Sequence, residues 1–177
     1  MHEVISLLIN RYDFFLQLLW EHIEISVLAS VATIIGGLLG VFIYEYKRLA
    51  APVMVVVNFL YTIPSISMLG LLLYVSGVGN TTAIIALVIY ALLPMVRNTF
   101  TGLNQIDQSM CEAGIALGLT RIQRLWNIEI PLAMPTIMAG IRTMLVMTIA
   151  LTGIASFIGA GGLGVAIYRG ITTNQSA

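Results

Sequence analysis

Charge is what this sequence has least of. Only 9% of its 177 residues are charged, 59% are hydrophobic, and the mean hydropathy is +0.98. A soluble domain usually carries about 25% charged residues, because its surface must face water. This scarcity excludes a water-soluble enzyme and favours an integral membrane protein. Eight basic and eight acidic residues also cancel, so net charge predicts no nucleic-acid partner.

The residue types that carry most protein chemistry are scarce too. The only lysine, Lys47, follows no glycine-rich loop, so the chain lacks the P-loop that cradles ATP phosphates. The only cysteine, Cys111, excludes an internal disulfide and a multi-cysteine metal site. The two histidines lie near the N-terminus without a ligand cluster, and no catalytic constellation stands out. We therefore expect no catalytic residue, no metal site and no cofactor bound by this chain.

Uncharged stretches predict four helical membrane spans. Residues 49–96 form a run of 48 uncharged residues. As one helix it would be ~72 Å long at ~1.5 Å per residue, against a hydrocarbon core of ~30 Å, so it must fold back. Residues 76–80, with two glycines and an asparagine, mark the turn. The predicted spans of this all-α bundle lie at about residues 25–45, 53–75, 81–97 and 136–158.

The chain ends and the basic residues predict an orientation. Residues 1–22 mix apolar and charged side chains without the basic start of a signal peptide, which predicts an interfacial amphipathic helix. With the N-terminus outside, six of the eight basic residues fall on the inner face, as the positive-inside rule favours. Residues 98–135 then form the one sizeable cytoplasmic segment. The whole chain, residues 1–177, is predicted to be a single transmembrane domain.

A proline in the second predicted span points to a possible pathway. Pro64 removes a helix hydrogen bond, and such a break is tolerated where protein packs it or where it lines a cavity. A simple kink and a translocation pathway both explain it, and in the second case Tyr61, Thr62, Pro64 and Ser65 are the candidate pathway residues.

Two further patterns leave alternatives open. Glycines after the fourth predicted span form either a tight loop or an outer gate, because glycine permits turns; they are Gly159, Gly161, Gly162 and Gly164. Gly36 and Gly40 in the first span let helices approach closely, within the bundle or between subunits. No Asp, Glu or His lies at the centre of a predicted span, which disfavours a proton-driven carrier but leaves sodium coupling open.

The cytoplasmic segment contains two predicted short helices. Ser109 to Glu112 fits a capping box, and that helix runs to Leu117, with Gly118 supplying a left-handed turn. A second capping box begins at Thr120.

Pro131 and Pro135 are expected to end the cytoplasmic segment and begin the fourth span. The result is a helix–glycine–helix knob over residues 109–131, either an interfacial loop or a docking surface for a cytosolic partner.

The knob resembles a known motif. Glu112-Ala113-Gly114, then Gly118, then Ile128-Glu129-Ile130-Pro131 is similar to the EAA loop of ATP-binding-cassette (ABC) importer permeases, with Gly114 and Ile130 as its two departures. In that family the loop forms coupling helices that sit in a groove of the ATPase. The resemblance implies close backbone approach at Ala113, Gly114 and Gly118, with Glu112 anchoring the loop or contacting the ATPase. The implied coupling residues are Glu112, Ala113, Gly114, Gly118, Ile128 and Pro131.

Further segments resemble the glycine betaine/carnitine/choline permeases, which share a type I fold with methionine permeases. These segments are residues 61–65, 93–100, 138–143 and 157–164. The resemblance implies import of a quaternary-ammonium solute such as glycine betaine, choline, carnitine or ergothioneine. ATP and Mg would bind a separate cytosolic ATPase subunit. The other implied partners are a second permease copy, an extracytoplasmic or fused substrate-binding domain, and the lipid of a bacterial cytoplasmic membrane.

Three alternatives stay open at this point. A methionine-type permease would share the fold, a sodium-coupled carrier would work without an ATPase, and a membrane scaffold would recruit a partner without transport. Members of the resembled family also have a fifth span, which we expect to follow Ala177 in the complete protein.

Overall fold

The structure is a computed structural model that describes residues 9–172, and these residues form helices without a strand. A π-helical turn over Leu125–Glu129 joins the seventh helix to the eighth, and a 3-10 turn over Ser156–Ile158 follows the eighth. The helices are α1 (Tyr12–Gly36), α2 (Leu38–Glu45), α3 (Lys47–Thr62), α4 (Ser65–Ser76), α5 (Asn80–Asn104), α6 (Gln108–Ala116), α7 (Arg121–Arg124), α8 (Ile130–Ala155) and α9 (Gly164–Thr172).

Helix α5 is the centre of the bundle. It packs along α8 and also contacts α1, α2, α3 and α4. Small residues make these approaches possible: a Cβ atom on Gly140 would lie 2.7 Å from the Asn98 Cβ, and one on Gly40 would lie 2.6 Å from the Thr99 Cβ. Gly40 therefore serves packing within the bundle, because small residues let membrane helices come close together.

Three helical stretches of the described chain are long and apolar enough to cross a membrane. They are Tyr12–Glu45, Asn80–Asn104 and Arg121–Ile158, and the α3–α4 pair makes a fourth if it is one broken span. The predicted second span over residues 53–75 is bent more sharply than a simple kink, because α3 and α4 meet at 100°. Pro64 stands at the break. The Ile63 carbonyl there accepts a hydrogen bond from the Tyr90 hydroxyl of α5, which holds the bent backbone against the bundle centre.

The helix that contains the first predicted span starts well before residue 25. Helix α1 is unbroken from Tyr12, so the interfacial helix predicted over residues 1–22 does not end at residue 22; residues 1–8 lie outside the described part. The physical reason is a stripe of buried residues at helical spacing that continues past that position: Leu18, His22, Ile25, Ser26, Ala29, Ser30 and Thr33. His22 is therefore inside the helical stretch, with its Nε2 3.1 Å from the Ile149 carbonyl oxygen.

The helices of the third and fourth predicted spans also extend beyond the predicted bounds. Helix α5 continues past residue 97 to Asn104, and α7, the π turn and α8 form one helical stretch. The segment between these two helical stretches is therefore shorter than residues 98–135. Pro131 stands in the first turn of α8, as predicted for a proline that begins this helix, whereas Pro135 lies inside it. Pro131 comes just after the π turn, where the regular i→i−4 bonding is already broken, so its missing N–H is tolerated there.

We predict that Tyr90→Phe destabilises the protein by about 1–3 kcal/mol, because it leaves the Ile63 carbonyl without its donor. Thermal unfolding in detergent measures the change. Tyr74→Phe is the matched control, since Tyr74 is 96% exposed on α4. Equal unfolding temperatures for the two variants would show that this hydrogen bond does not hold the break.

Candidate coupling site and transport cleft

Asp107 lies just before the knob and caps α6. Its carboxylate accepts a hydrogen bond from the Ser109 backbone N–H at 2.9 Å. This bond holds the pKa of Asp107 below its usual value, because it favours the charged form. The predicted capping box at Ser109 is wrong by two residues: Ser109 lies inside the first turn, and Glu112 accepts from the Gln108 side chain at 2.9 Å.

The turn between α6 and α7 follows the prediction closely. Gly118 has a φ of +76°, the left-handed conformation, and the Leu119 N–H donates to the Gly114 carbonyl at 3.1 Å. The capping box at Thr120 is confirmed, with the Thr120 N–H donating to the Gln123 Oε1 at 2.9 Å. Nothing lies within 4 Å of a Cβ built on Gly118. Within this chain Gly118 therefore serves the turn and makes no close approach.

Gly114 is where α6 meets the π turn. A Cβ atom there would lie 2.9 Å from the Ile128 Cδ1 and 3.2 Å from the Arg124 Cγ. A larger residue would push α6 away from the start of α8, which explains a small residue at this position. Glu112 and Ala113 are exposed on the same helix and leave their side chains free to meet another surface.

A buried carboxylate ties the knob to the spans. Glu129 is fully buried, and its Oε1 accepts from the Arg121 Nη1 at 2.5 Å and the Arg124 Nε at 2.7 Å. Arg121 also forks onto Glu45 at the end of α2, with its Nε and Nη2 2.9 and 2.5 Å from the two carboxylate oxygens. Arg121 further lies over the Tyr44 ring, 5.5 Å from its centroid. One guanidinium thus joins α2, α7 and the π turn.

Cys111 lies beside this network without being a reactive thiol. Its Sγ is 3.8 Å from the Glu129 Oε1. Burial raises the pKa of the Cys111 thiol, and the nearby Glu129 carboxylate acts in the same direction. The thiol therefore stays protonated at neutral pH, as expected for a packed cysteine.

The knob presents apolar side chains to its surroundings. Leu117 is 79% exposed and Ile122 is 70% exposed, and Ile115 and Trp126 are exposed beside them. Leu125 lies between Ile122 and Trp126 in the sequence but is buried against the bundle. Exposed apolar groups on a segment that also carries charges mark an interaction surface. We call these four exposed residues the apolar tip.

The four predicted pathway residues do not line one common cavity. Tyr61 lines an open cleft of about 460 Å³ between α3, α5 and α8. Thr62 donates to the Phe59 carbonyl of its own helix, Pro64 sets the bend, and Ser65 lines a narrow cavity beside Tyr90. The other residues that line the open cleft are Leu93, Pro94, Arg97, Asn98, Thr101, Thr143 and Met147.

The glycine-rich loop after α8 is fastened to two other helices. The Gly161 N–H donates to the Asn80 side chain of α5 at 2.9 Å, and the Gly162 N–H donates to the Glu21 carboxylate of α1 at 3.2 Å. Gly159 and Gly162 have positive φ values, and Gly164 packs against the α8 backbone. These contacts favour the tight loop of the two alternatives, and a gating role stays a prediction.

Sequence reasoning missed one ion pair and the end of one helix. The bond between Glu45 and Arg121 joins residues 76 apart, and no local spacing rule links them. Arg97 was placed at a span end because charge was used to set the boundary, whereas it lies within α5. The signal that could have predicted a helix end as late as Asn104 is that residues 98–104 contain no proline and no charge.

We predict that Arg124→Leu lowers the free energy of unfolding by about 1.5–3 kcal/mol, because the buried Glu129 keeps only one of its two arginine partners. Adding Glu129→Leu removes the buried charge and recovers much of that loss. Chemical unfolding of the four members of this double-mutant cycle measures the coupling. Arg48→Leu, at an exposed arginine of α3, is the control with little effect. Strictly additive losses would contradict a coupled buried pair.

Comparison with known proteins identifies relatives over almost the whole chain. A family model described as binding-protein-dependent transport system inner membrane component matches residues 14–177. The glycine betaine/carnitine/choline transport system permease protein OpuCD of Bacillus subtilis is 45% identical over 92% of this chain and 72% of its own. The carnitine transport permease protein OpuCD of Listeria monocytogenes is 40% identical over 99% of this chain and 81% of its own.

A longer relative and a solved structure extend this result. The ergothioneine transport permease/ergothioneine binding protein EgtU of Helicobacter pylori is 41% identical over 81% of this chain, which matches 26% of that protein. An inward-facing structure of the MetNI methionine ABC transporter has a TM-score of 0.80 at 23% identity, over 88% of this chain and 79% of that one, and shows the shared fold. The chain therefore belongs to the binding-protein-dependent transport system inner membrane components, the permease subunits of ABC importers, and has their type I fold.

Proposed function

We propose that this permease subunit imports a small quaternary-ammonium solute of the betaine type through a bacterial cytoplasmic membrane. The relatives named for glycine betaine, carnitine, choline and ergothioneine support this class of solute. In permeases of this family a separate subunit hydrolyses ATP. ATP and Mg accordingly bind the cytosolic ATPase partner, and an extracytoplasmic binding protein or fused binding domain delivers the solute.

The observation that carries this function is the attachment of the knob. The apolar tip points away from the bundle, whereas the base of the knob is tied to α2 through Glu45 and to the start of α8 through Glu129. A surface that docks an ATPase must pass its motion on to the spans. Charge-assisted hydrogen bonds between planar groups fix both distance and angle, so a displacement of the tip also displaces α2 and α8.

The mechanism we propose uses two copies of this chain and two ATPase subunits. ATP binding closes the ATPases, and each knob follows its ATPase as a rigid body. Within one copy, α5 packs along α8 and contacts α2, so the moving helices carry the bundle centre with them. The space between the two copies then opens alternately to each side of the membrane.

The apolar tip favours this mechanism over a sodium-coupled carrier. A docking surface for an ATPase requires exposed apolar side chains, whereas a carrier that works alone has no use for them.

We predict that Leu117→Asp abolishes association with the ATPase and lowers ATP-driven uptake at least about tenfold, since one charge in a docked apolar contact costs several kcal/mol. Co-purification of the ATPase and uptake into proteoliposomes measure the two effects. Ile171→Asp is the matched control, because Ile171 is 70% exposed on α9, far along the chain from the knob.

The same experiment separates the alternatives. Uptake that survives Leu117→Asp without ATPase would establish an ATP-independent carrier. A wild-type chain that recruits the ATPase but transports no solute would establish a scaffold.

A further inference from the structure

Arg97 is a charged residue within a membrane-spanning helix. It lies seven residues before the end of α5, which places it ~10 Å from that end at ~1.5 Å per residue. Its side chain is exposed and lines the open cleft between α3, α5 and α8. Within residues 9–172, the ion pairs involve Arg121 and Arg124, and no carboxylate lies within 4.0 Å of the Arg97 guanidinium.

Two polar neighbours of Arg97 in the cleft donate hydrogen bonds within their own helices. The Asn98 side-chain N–H donates to the Pro94 carbonyl at 2.7 Å, and the Thr143 hydroxyl donates to the Ala139 carbonyl at 2.9 Å. Arg97 is also the only charged residue among those that line the cleft. A guanidinium offers five N–H donors in a planar fork that matches a carboxylate. In this cleft the fork has no acceptor side chain of opposite charge.

A charge at this depth needs either water or an anionic partner. Ionisable residues within membrane helices are costly, and they almost always face a water-filled cavity or a polar partner. The cleft has a volume of about 460 Å³, which falls within the ~300–1,000 Å³ typical of small-molecule sites. It is therefore large enough for water and for a small solute.

The other side of the cleft is aromatic. The Tyr61 ring is 42% exposed, and its hydroxyl donates to the Met147 sulfur at 3.7 Å. An edge-on contact with Tyr90 at 6.2 Å between centroids steadies the ring. An exposed aromatic face attracts an ammonium group, and quaternary ammonium ligands use such faces in other proteins. Arg97 and Tyr61 thus offer one group for a carboxylate and one for an ammonium.

We propose that Arg97 and Tyr61 form a zwitterion site in the transport cleft, in which Arg97 binds the carboxylate of the solute and selects betaines over choline. This inference rests on the proposed import function and names the residue that discriminates among its substrates. Choline has the ammonium group without the carboxylate, so Arg97 forms no ion pair with it and repels its positive charge. Glycine betaine and carnitine satisfy both groups.

The test uses the complete importer in proteoliposomes, with its ATPase subunits and with saturating binding protein. Uptake of glycine betaine and of choline is measured per ATP hydrolysed, so that slow ATPase variants are not mistaken for selective ones. Arg97→Gln removes the charge, and Arg97→Lys keeps the charge but loses the fork. Arg142→Gln is the matched control, because it removes an exposed guanidinium of α8 that does not line the cleft.

We expect Arg97→Gln to lower the betaine-to-choline uptake ratio at least about tenfold, the equivalent of ~1.4 kcal/mol. The ratio for Arg97→Lys is expected to lie between those of wild type and Arg97→Gln. If Arg97→Gln does not assemble, the comparison of Arg97→Lys with wild type is the test. The ratio for Arg142→Gln stays within about twofold of wild type.

Other outcomes overturn the proposal. Equal losses for both solutes would show that Arg97 holds a lipid phosphate or serves assembly. Wild-type uptake of choline without glycine betaine or carnitine would also refute the zwitterion site, while leaving import of quaternary-ammonium solutes intact. If wild type takes up none of these solutes, the proposed function itself fails.

Discussion

The buried charge of Glu129 is the constraint on which the rest of this structure depends. A fully buried carboxylate is costly unless opposite charges and hydrogen bonds surround it, and here two arginines donate to it. Because Arg121 also forks onto Glu45, the pairing of the Glu129 Oε1 with Arg121 fixes where α2 ends relative to α8. Removing either arginine leaves the buried carboxylate with a single charged partner. The knob therefore has one stable position on the spans, which is what a part that transmits force requires.

The bent α3–α4 pair is the second consequence of packing around α5. Pro64 interrupts the helix, and the Tyr90 hydroxyl of α5 stabilises the break by donating a hydrogen bond to the Ile63 carbonyl. The bend leaves the end of α3 beside α5 and α8, where Tyr61 lines the open cleft. Helix α5 thus supports both functional regions, because it also packs along α8, the helix that continues from the knob.

The sequence was most informative where structure is determined locally. The left-handed turn at Gly118 and the capping box at Thr120 are confirmed, since each depends on residues within three or four positions. The cap of α6 was misplaced because Asp107 and Ser109 both fit the capping pattern, and only the observed turn distinguishes them. Helices extend past the predicted span ends where charges lie inside helices, as Arg97 does. The bend angle and the Glu45–Arg121 pair depend on contacts between distant segments, which no spacing rule records.

The most direct test of the rigid attachment is a pair of spin-label distances in the assembled importer. Cys111→Ser removes the single native cysteine, and labels at Ser109→Cys and Met138→Cys report the distance from the knob to α8 within one copy. Addition of ATP and Mg should change this distance by less than about 2 Å, while the distance between the two Ser109→Cys sites of a dimer changes more. A knob that moves relative to its own α8 on ATP binding would contradict the account.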